Sequence, residues 1–130
     1  MRGSKNLICL LNCVITLVSG VLIYALLREN TYINNFIDFP NTKASSVLID
    51  FLRFYLVDAL WAYALTFALS IFINEIFSGI ISTAFGTLWE LSQLCRIVSG
   101  TFDILDIIMY LSASTIAVLI IYLYKRRNSL

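Results

Sequence analysis

The feature that most constrains this chain is an apolar run from Leu7 to Leu27 that contains no charged residue. A helix needs about 20 residues to cross the hydrocarbon core of a bilayer, and this run is long enough. It follows Arg2 and Lys5, as a secretory signal peptide would. A signal peptide, however, has an apolar region of about 7 to 15 residues and a small-residue cleavage site. The longer run without a clear cleavage site favours an uncleaved membrane-spanning helix.

Three more apolar runs follow. We expect spans at about 7–27, 54–73, 76–95 and 104–124, with an extracytoplasmic loop at about 28–53. The loop is rich in asparagine and holds the only proline, Pro40, and Ser45 or Ser46 can cap the second helix. Only Asn74 and Glu75 separate the second run from the third. The second and third helices should therefore form a tight antiparallel hairpin.

Composition supports lipid as the solvent. The chain is 60% hydrophobic and 13% charged, whereas a soluble domain is about 45 to 50% apolar and about 25% charged. We therefore predict an all-α fold, a polytopic four-helix transmembrane bundle that forms a single membrane domain over residues 1–130. The expected partner of this domain is the lipid bilayer.

The basic residues predict the orientation of the bundle. An even number of spans places both termini on one side, and basic residues next to spans favour the cytoplasmic side. Five lie beside the first and last spans, against four on the other side: Arg2, Lys5, Lys125, Arg126 and Arg127 against Arg28, Lys43, Arg53 and Arg96. We expect both termini in the cytoplasm.

Several kinds of function are disfavoured by composition. The net charge of +1 and scattered basic residues do not form the basic patch that nucleic acid requires. Histidine is absent, which removes Ser-His and Cys-His catalysis and the commonest ligand of transition metals. The three cysteines lack CxxC spacing, so a disulfide framework and a zinc site are not indicated and packing is the expected role. In the predicted topology Cys9 and Cys13 are buried, whereas Cys95 faces the outside of the cell. We predict no cofactor, and any chemistry would depend on carboxylates.

Polar and small residues recur at helical spacing within the spans. The third run carries Ser78, Ser82, Gly86 and Glu90, which share one helix face. Small residues let helices approach closely in lipid, so packing alone can explain this face. An ionisable group at the bilayer centre costs about 2.5 to 3.5 kcal/mol on insertion scales, so the acids need a further explanation.

The acids should converge near the extracytoplasmic face. Asp58 and Glu90 each lie about 23 Å from the turn between the second and third helices. Asp103 and Asp106 begin the fourth helix on the same side. The predicted result is the mouth of a polar pocket formed by eight residues: Asp58, Glu90, Gln93, Asp103, Asp106, Arg28, Arg96 and Tyr110. A structural ion-pair network, a divalent cation site and a shared proton are the alternatives.

The segment Glu90-Leu-Ser-Gln93 followed by Asp103-Ile-Leu-Asp106 resembles the VanZ-like family of small bacterial membrane proteins. That family has a Glu-x-x-Gln followed by an Asp-x-x-Asp pair and a second helix that begins with Asp, as at Asp58. The chain departs from the family's usual Asp-Lys-x-x-His pattern, because it has Asp58-Ala59-Leu60-Trp61 there and contains no histidine.

The resemblance implies a protein of the bacterial plasma membrane that acts at the cell envelope and is linked to glycopeptide (teicoplanin-type) susceptibility. We expect a non-enzymatic protein that binds or shields an envelope lipid or another amphiphile. The rivals are a small carboxylate-based membrane enzyme or transporter, and an accessory subunit of a membrane complex. No inverted repeat of the transporter type is evident in the sequence.

Overall fold

The structure of the chain is a computed structural model, which describes residues 2–27 and 47–127. It is all-helical: α1 spans Arg2–Leu27, α2 Val47–Phe51, α3 Val57–Leu69, α4 Glu75–Leu94 and α5 Ile104–Arg127. A π-helical turn, Leu52–Leu56, joins α2 to α3, and the residues on either side of it keep helical backbone angles. The described residues therefore form four long helices, and the all-α prediction is confirmed.

Two of these helices are long and apolar enough to cross a membrane, over Lys5–Leu26 in α1 and Ile104–Arg127 in α5. The segment Phe54–Leu69 is apolar but shorter. The last part of the predicted extracytoplasmic loop is helical, because α2 begins at Val47. The rest of that loop, with the proposed serine caps, lies outside the described residues.

Helices α3 and α4 form the predicted hairpin, with a turn at residues 70–74. Ser70 ends α3 and donates its hydroxyl to the carbonyl of Phe67. Asn74 caps α4, because its side-chain oxygen accepts a hydrogen bond of 2.9 Å from the backbone N–H of Ile76. These two polar residues make α3 end at Leu69 rather than at Ile73, where the apolar run ends.

Helix α3 is central to the bundle and packs against α1, α4 and α5, while α5 also packs against α4. Most of the interior consists of small side chains around Phe67. One cluster joins α1, α3 and α5 through Cys9, Cys13, Ala64, Phe67, Ala117 and Ile121. A second cluster joins α3 and α5 through Ala59, Ala62, Tyr110 and Ala113. The predicted burial of Cys9 and Cys13 is confirmed. Cys95 is exposed on the surface of the bundle, and its position outside the cell stays a prediction.

The small-residue face of α4 is a contact face, as its spacing predicted. Ser78 and Ser82 are buried, and the hydroxyl of Ser82 donates to the carbonyl of Ala62 at 2.8 Å. A Cβ atom at Gly79 would lie 2.6 Å from the side chain of Val118. A Cβ atom at Gly86 would lie 2.5 Å from the ring of Tyr110. The close approach of α4 to α3 and α5 therefore depends on these small residues.

Both ends of the helical chain meet at the α3–α4 turn. The ammonium group of Lys5 donates to the carbonyl of Ser70 at 2.9 Å. The ammonium group of Lys125 forms an ion pair with buried Glu75 at 3.1 Å. The start of α1 and the end of α5 therefore lie at the same end of the bundle, as an even number of spans requires.

Large apolar side chains cover the outside of the bundle. Phe72 is 85% exposed and Ile97 is 78% exposed, and leucine, isoleucine and phenylalanine residues on every long helix are exposed as well. The interior instead contains buried serine, threonine, alanine and glutamate. This distribution reverses the usual preference of water-soluble proteins, in which large aliphatic residues are buried.

Candidate functional site

Glu90 lies at the end of the bundle opposite the α3–α4 turn and is only 2% exposed. One of its carboxylate oxygens accepts a hydrogen bond of 3.2 Å from the hydroxyl of Tyr110. The other accepts a hydrogen bond of 3.3 Å from the backbone N–H of Asp103. Both donors belong to α5 or to the residue that precedes it, so this one carboxylate fastens α4 to the beginning of α5.

Asp103 in turn connects α5 to the helix that contains α3. One of its carboxylate oxygens caps α5 by accepting a hydrogen bond of 2.9 Å from the N–H of Leu105. The other accepts a hydrogen bond of 2.9 Å from the hydroxyl of Tyr55. Tyr55 was missed by the sequence analysis, although it lies three residues before Asp58 and therefore near the same helix face. It belongs to the π-helical turn, and such turns are frequent at functional sites.

Asp58 and Asp106 complete a group of four acids. Asp58, Glu90 and Asp103 are all close enough to Asp106 for their negative charges to act on it. Asp58, Glu90 and Asp106 act in the same way on Tyr110. The structure therefore brings these predicted residues together from three helices. Their binding role stays a prediction.

Gln93 and Arg96, two further predicted residues, have other surroundings in the structure. The side chain of Gln93 covers Gly100, whose φ of +149° and lack of a Cβ atom let the amide lie against it. Arg96 is exposed in the loop between α4 and α5, with a positive φ of 57°. Within residues 2–27 and 47–127 it makes no ion pair with the acids, so it does not contribute to the predicted ion-pair network. Arg28 lies outside the described residues.

Metal binding by the acids finds no geometric support. In the part of the chain that the structure describes, no group of three or more aspartate, glutamate or cysteine residues could hold a metal ion. Glu90 and Asp103 instead use their oxygens for hydrogen bonds with the protein.

A groove of about 700 Å³ runs over α3 between α1 and α4. Its wall is mainly apolar, with Cys13 and Leu17 from α1, residues such as Leu65 and Ala68 from α3, and Phe85 from α4. Of the predicted site residues that the structure describes, Asp58 and Tyr110 line it and the others do not. The sequence predicted a polar pocket at this end, and the structure has a mainly apolar groove that reaches the acids through those two residues.

A second groove of about 460 Å³ lies between α4 and α5. It contains the hydroxyl of Ser114, which is buried and has no hydrogen-bond partner among the described residues. No charged residue within 2–27 and 47–127 lines this groove. The larger groove, which meets the acids, is therefore the better candidate for a binding site.

No family model, curated protein or solved structure matches the chain. The resemblance of the segment from Glu90 to Asp106 to the VanZ-like family therefore stays a prediction. The groove, the acids and the apolar exterior are the features that bear on the function of the chain.

Proposed function

We propose that this chain is a multi-pass membrane protein that holds the alkyl chain of an amphiphile in the groove between α1, α3 and α4. The groove carries the proposal: its volume of about 700 Å³ falls within the range of about 300 to 1,000 Å³ typical of small-molecule sites. Its long wall is apolar, and among the described residues that line it Asp58 is the charged one. An apolar slot that meets charged residues matches a molecule with an alkyl tail and a polar head.

The dimensions of the helices support a membrane location. Helix α4 has 20 residues, which at about 1.5 Å per residue gives a length of about 30 Å, the thickness of a hydrocarbon core. Helices α1 and α5 are longer, with 26 and 24 residues. The continuous helix from Val47 to Leu69 is of similar length. All four are therefore long enough to span a bilayer.

The apolar exterior supports the same location. In water, the exposed side chains of α1, α4 and α5 would form apolar patches larger than soluble monomers carry. In lipid the same side chains are solvated by acyl chains. Small residues and hydroxyl groups then form the contacts between helices, which is the usual arrangement in membrane bundles.

The position of the groove explains how an amphiphile would enter. Val14 on α1 and Phe85 on α4 are exposed on outer faces of the two helices that border it. In a bilayer the groove would therefore open sideways to lipid, and a tail could enter without crossing water. Trp61 and Trp89 line the groove and are about half exposed, as expected for aromatic residues near a membrane interface.

Under this proposal the acids face the outside of the cell. Lys125, Arg126 and Arg127 lie in the last turn of α5, and basic residues beside a span favour the cytoplasm. The opposite end of the bundle, with Glu90 and Asp103, is then extracytoplasmic. The protein acts at the envelope of a bacterial plasma membrane by binding or shielding an amphiphile, and its loss changes glycopeptide susceptibility, as the VanZ-like resemblance implies.

Tryptophan fluorescence can test occupancy of the groove directly, because Trp61 and Trp89 are the only two tryptophans and both line it. Purified protein in maltoside micelles is titrated with an amphiphile whose dodecyl chain carries bromine, a contact quencher. We expect saturable quenching for the wild type. Ala68→Phe fills part of the groove and should weaken binding by about tenfold or more, equivalent to about 1.4 kcal/mol.

Ala84→Phe is the matched control, because Ala84 is exposed on α4 and does not line this groove. It should leave the quenching curve unchanged. Circular dichroism must show that both variants remain folded. Quenching of the wild type that rises without saturation would refute the proposed function. Equal quenching of Ala68→Phe and Ala84→Phe would refute it as well.

A further inference from the structure

The end of the groove near Asp58 combines aromatic rings with negative charge. From this combination we infer that the amphiphile is a cation whose head is a quaternary ammonium group. The inference rests on the proposed function, since it names the class of molecule that the same groove would hold. It is carried by two sets of groups: the aromatic residues that line the groove and the acids at its end.

In the part of the chain that the structure describes, four aromatic residues line the groove: Trp61, Phe85, Trp89 and Tyr110. The faces of aromatic rings attract cations, tryptophan most strongly, and aromatic cages are the usual means of recognising quaternary ammonium groups. Trp61 is 49% exposed and Trp89 is 48% exposed, so part of each ring remains accessible to a bound molecule. Tyr110 is fixed in place, because its ring lies against Gly86 and its hydroxyl donates to Glu90.

The acids supply the matching charge. Asp58 lines the groove, and the negative charges of Asp58, Glu90 and Asp103 all act on Asp106. Like charges near one another repel, and more strongly where lipid and protein lower the dielectric constant. A cationic head at the end of the groove would reduce this repulsion. An anionic head would add to it, so the acids select against fatty acids and sulfates.

The apolar lining favours quaternary over primary ammonium. A primary ammonium group has three N–H donors that require acceptors once water is removed. Among the described lining residues, Asp58 offers a carboxylate, and the hydroxyl groups of Ser82 and Tyr110 already donate to Ala62 and Glu90. Three N–H donors would therefore compete for few acceptors in a mainly apolar groove. A trimethylammonium group has no N–H donor, and its methyl groups can pack against the rings. It can therefore leave water without leaving unsatisfied donors behind.

The test compares three amphiphiles with the same tail, using tryptophan fluorescence of the purified full chain in maltoside micelles. They are dodecyltrimethylammonium, the neutral analogue dodecyldimethylamine oxide at pH 8, where its head has no net charge, and dodecyl sulfate. We expect the cation to bind at least tenfold more tightly than the neutral analogue, and dodecyl sulfate more weakly than either. Asp58→Asn should reduce the preference for the cation, and Asp106→Asn provides a second variant if Asp58→Asn does not fold.

Glu75→Gln is the control, because Glu75 is an acid at the opposite end of the bundle and does not line the groove. It should keep the full preference for the cation. Equal binding of the cation and its neutral analogue would overturn the inference and leave the proposed function intact. Tighter binding of dodecyl sulfate, or a preference that the folded aspartate variants keep, would overturn it too. Saturable binding by none of the three amphiphiles would refute the proposed function itself.

Discussion

Glu75 shows how a single residue fastens one end of the bundle. It is 5% exposed and lies between the predicted second and third spans. Burial by itself would raise the pKa of its carboxyl group. Hydrogen bonds from its own backbone and from Lys125, together with the positive charges of Lys125 and Lys5, outweigh burial and hold the pKa below its ordinary value. The ionised carboxylate is therefore the form that the fold stabilises.

This lowered pKa predicts the pH dependence of stability. A carboxyl group whose pKa is lower in the folded state adds stability above its unfolded pKa, and the contribution is lost as the pH falls through the folded pKa. Glu75→Gln should cost about 0.5 to 1 kcal/mol near neutral pH, since Lys125 is half exposed. The difference between wild type and variant should shrink below about pH 4.5. Unfolding in detergent between pH 3.5 and 7 measures it, and a difference that does not vary with pH would contradict this account.

At the scale of helices, the contact of α4 with α5 depends on Gly86. The ring of Tyr110 occupies the space that a side chain at Gly86 would need, and the bond to Glu90 keeps the ring there. Gly86→Leu should therefore destabilise the bundle by about 1 to 3 kcal/mol, the usual cost of overpacking. Phe85→Leu is the matched comparison, because Phe85 is 63% exposed and should tolerate leucine. Equal melting temperatures for the two variants in detergent would show that this face is not a tight contact.

Helical periodicity predicted the four helices and the α3–α4 hairpin, but it could not predict depth accurately. The estimate that Asp58 and Glu90 lie at equal depth treated the hairpin as helical up to Asn74. Residues 70–74 form a turn instead, and the hydroxyl of Ser82 bonds to the carbonyl of Ala62. Glu90 is two turns beyond Ser82, whereas Asp58 is one turn beyond Ala62. Glu90 therefore lies about 5 Å, or one helical turn, further from the hairpin.

The π-helical turn was also beyond sequence reasoning, because such turns are rare and occur as single turns within α-helices. It contains Tyr55, whose hydroxyl bonds to Asp103. The spacing of acids along the helices was enough to predict that Asp58, Glu90, Asp103 and Asp106 meet. It gave no information about the groove, because a cavity between three helices depends on how they cross.

For the whole molecule, the orientation in the membrane can be tested at Cys95. This residue is exposed at the end of α4, on the side of the acids, whereas Cys9 and Cys13 are buried in the bundle. An impermeant maleimide should therefore label Cys95 in intact cells. Arg127→Cys in a Cys95→Ala background is the control and should react only after the inner face is opened. The opposite pattern would mean that the acids face the cytoplasm.

The central claim is that an alkyl chain occupies the groove between α1, α3 and α4, and photolabelling tests it most directly. A dodecyl amphiphile with a diazirine in its tail is activated by light in the presence of the purified protein, and mass spectrometry locates the modified residues. We predict that labelling concentrates on groove residues such as Trp61, Leu65 and Phe85, and that excess unlabelled amphiphile abolishes it. Labelling spread evenly over outer residues such as Phe72 and Phe77, and unaffected by competitor, would contradict the account.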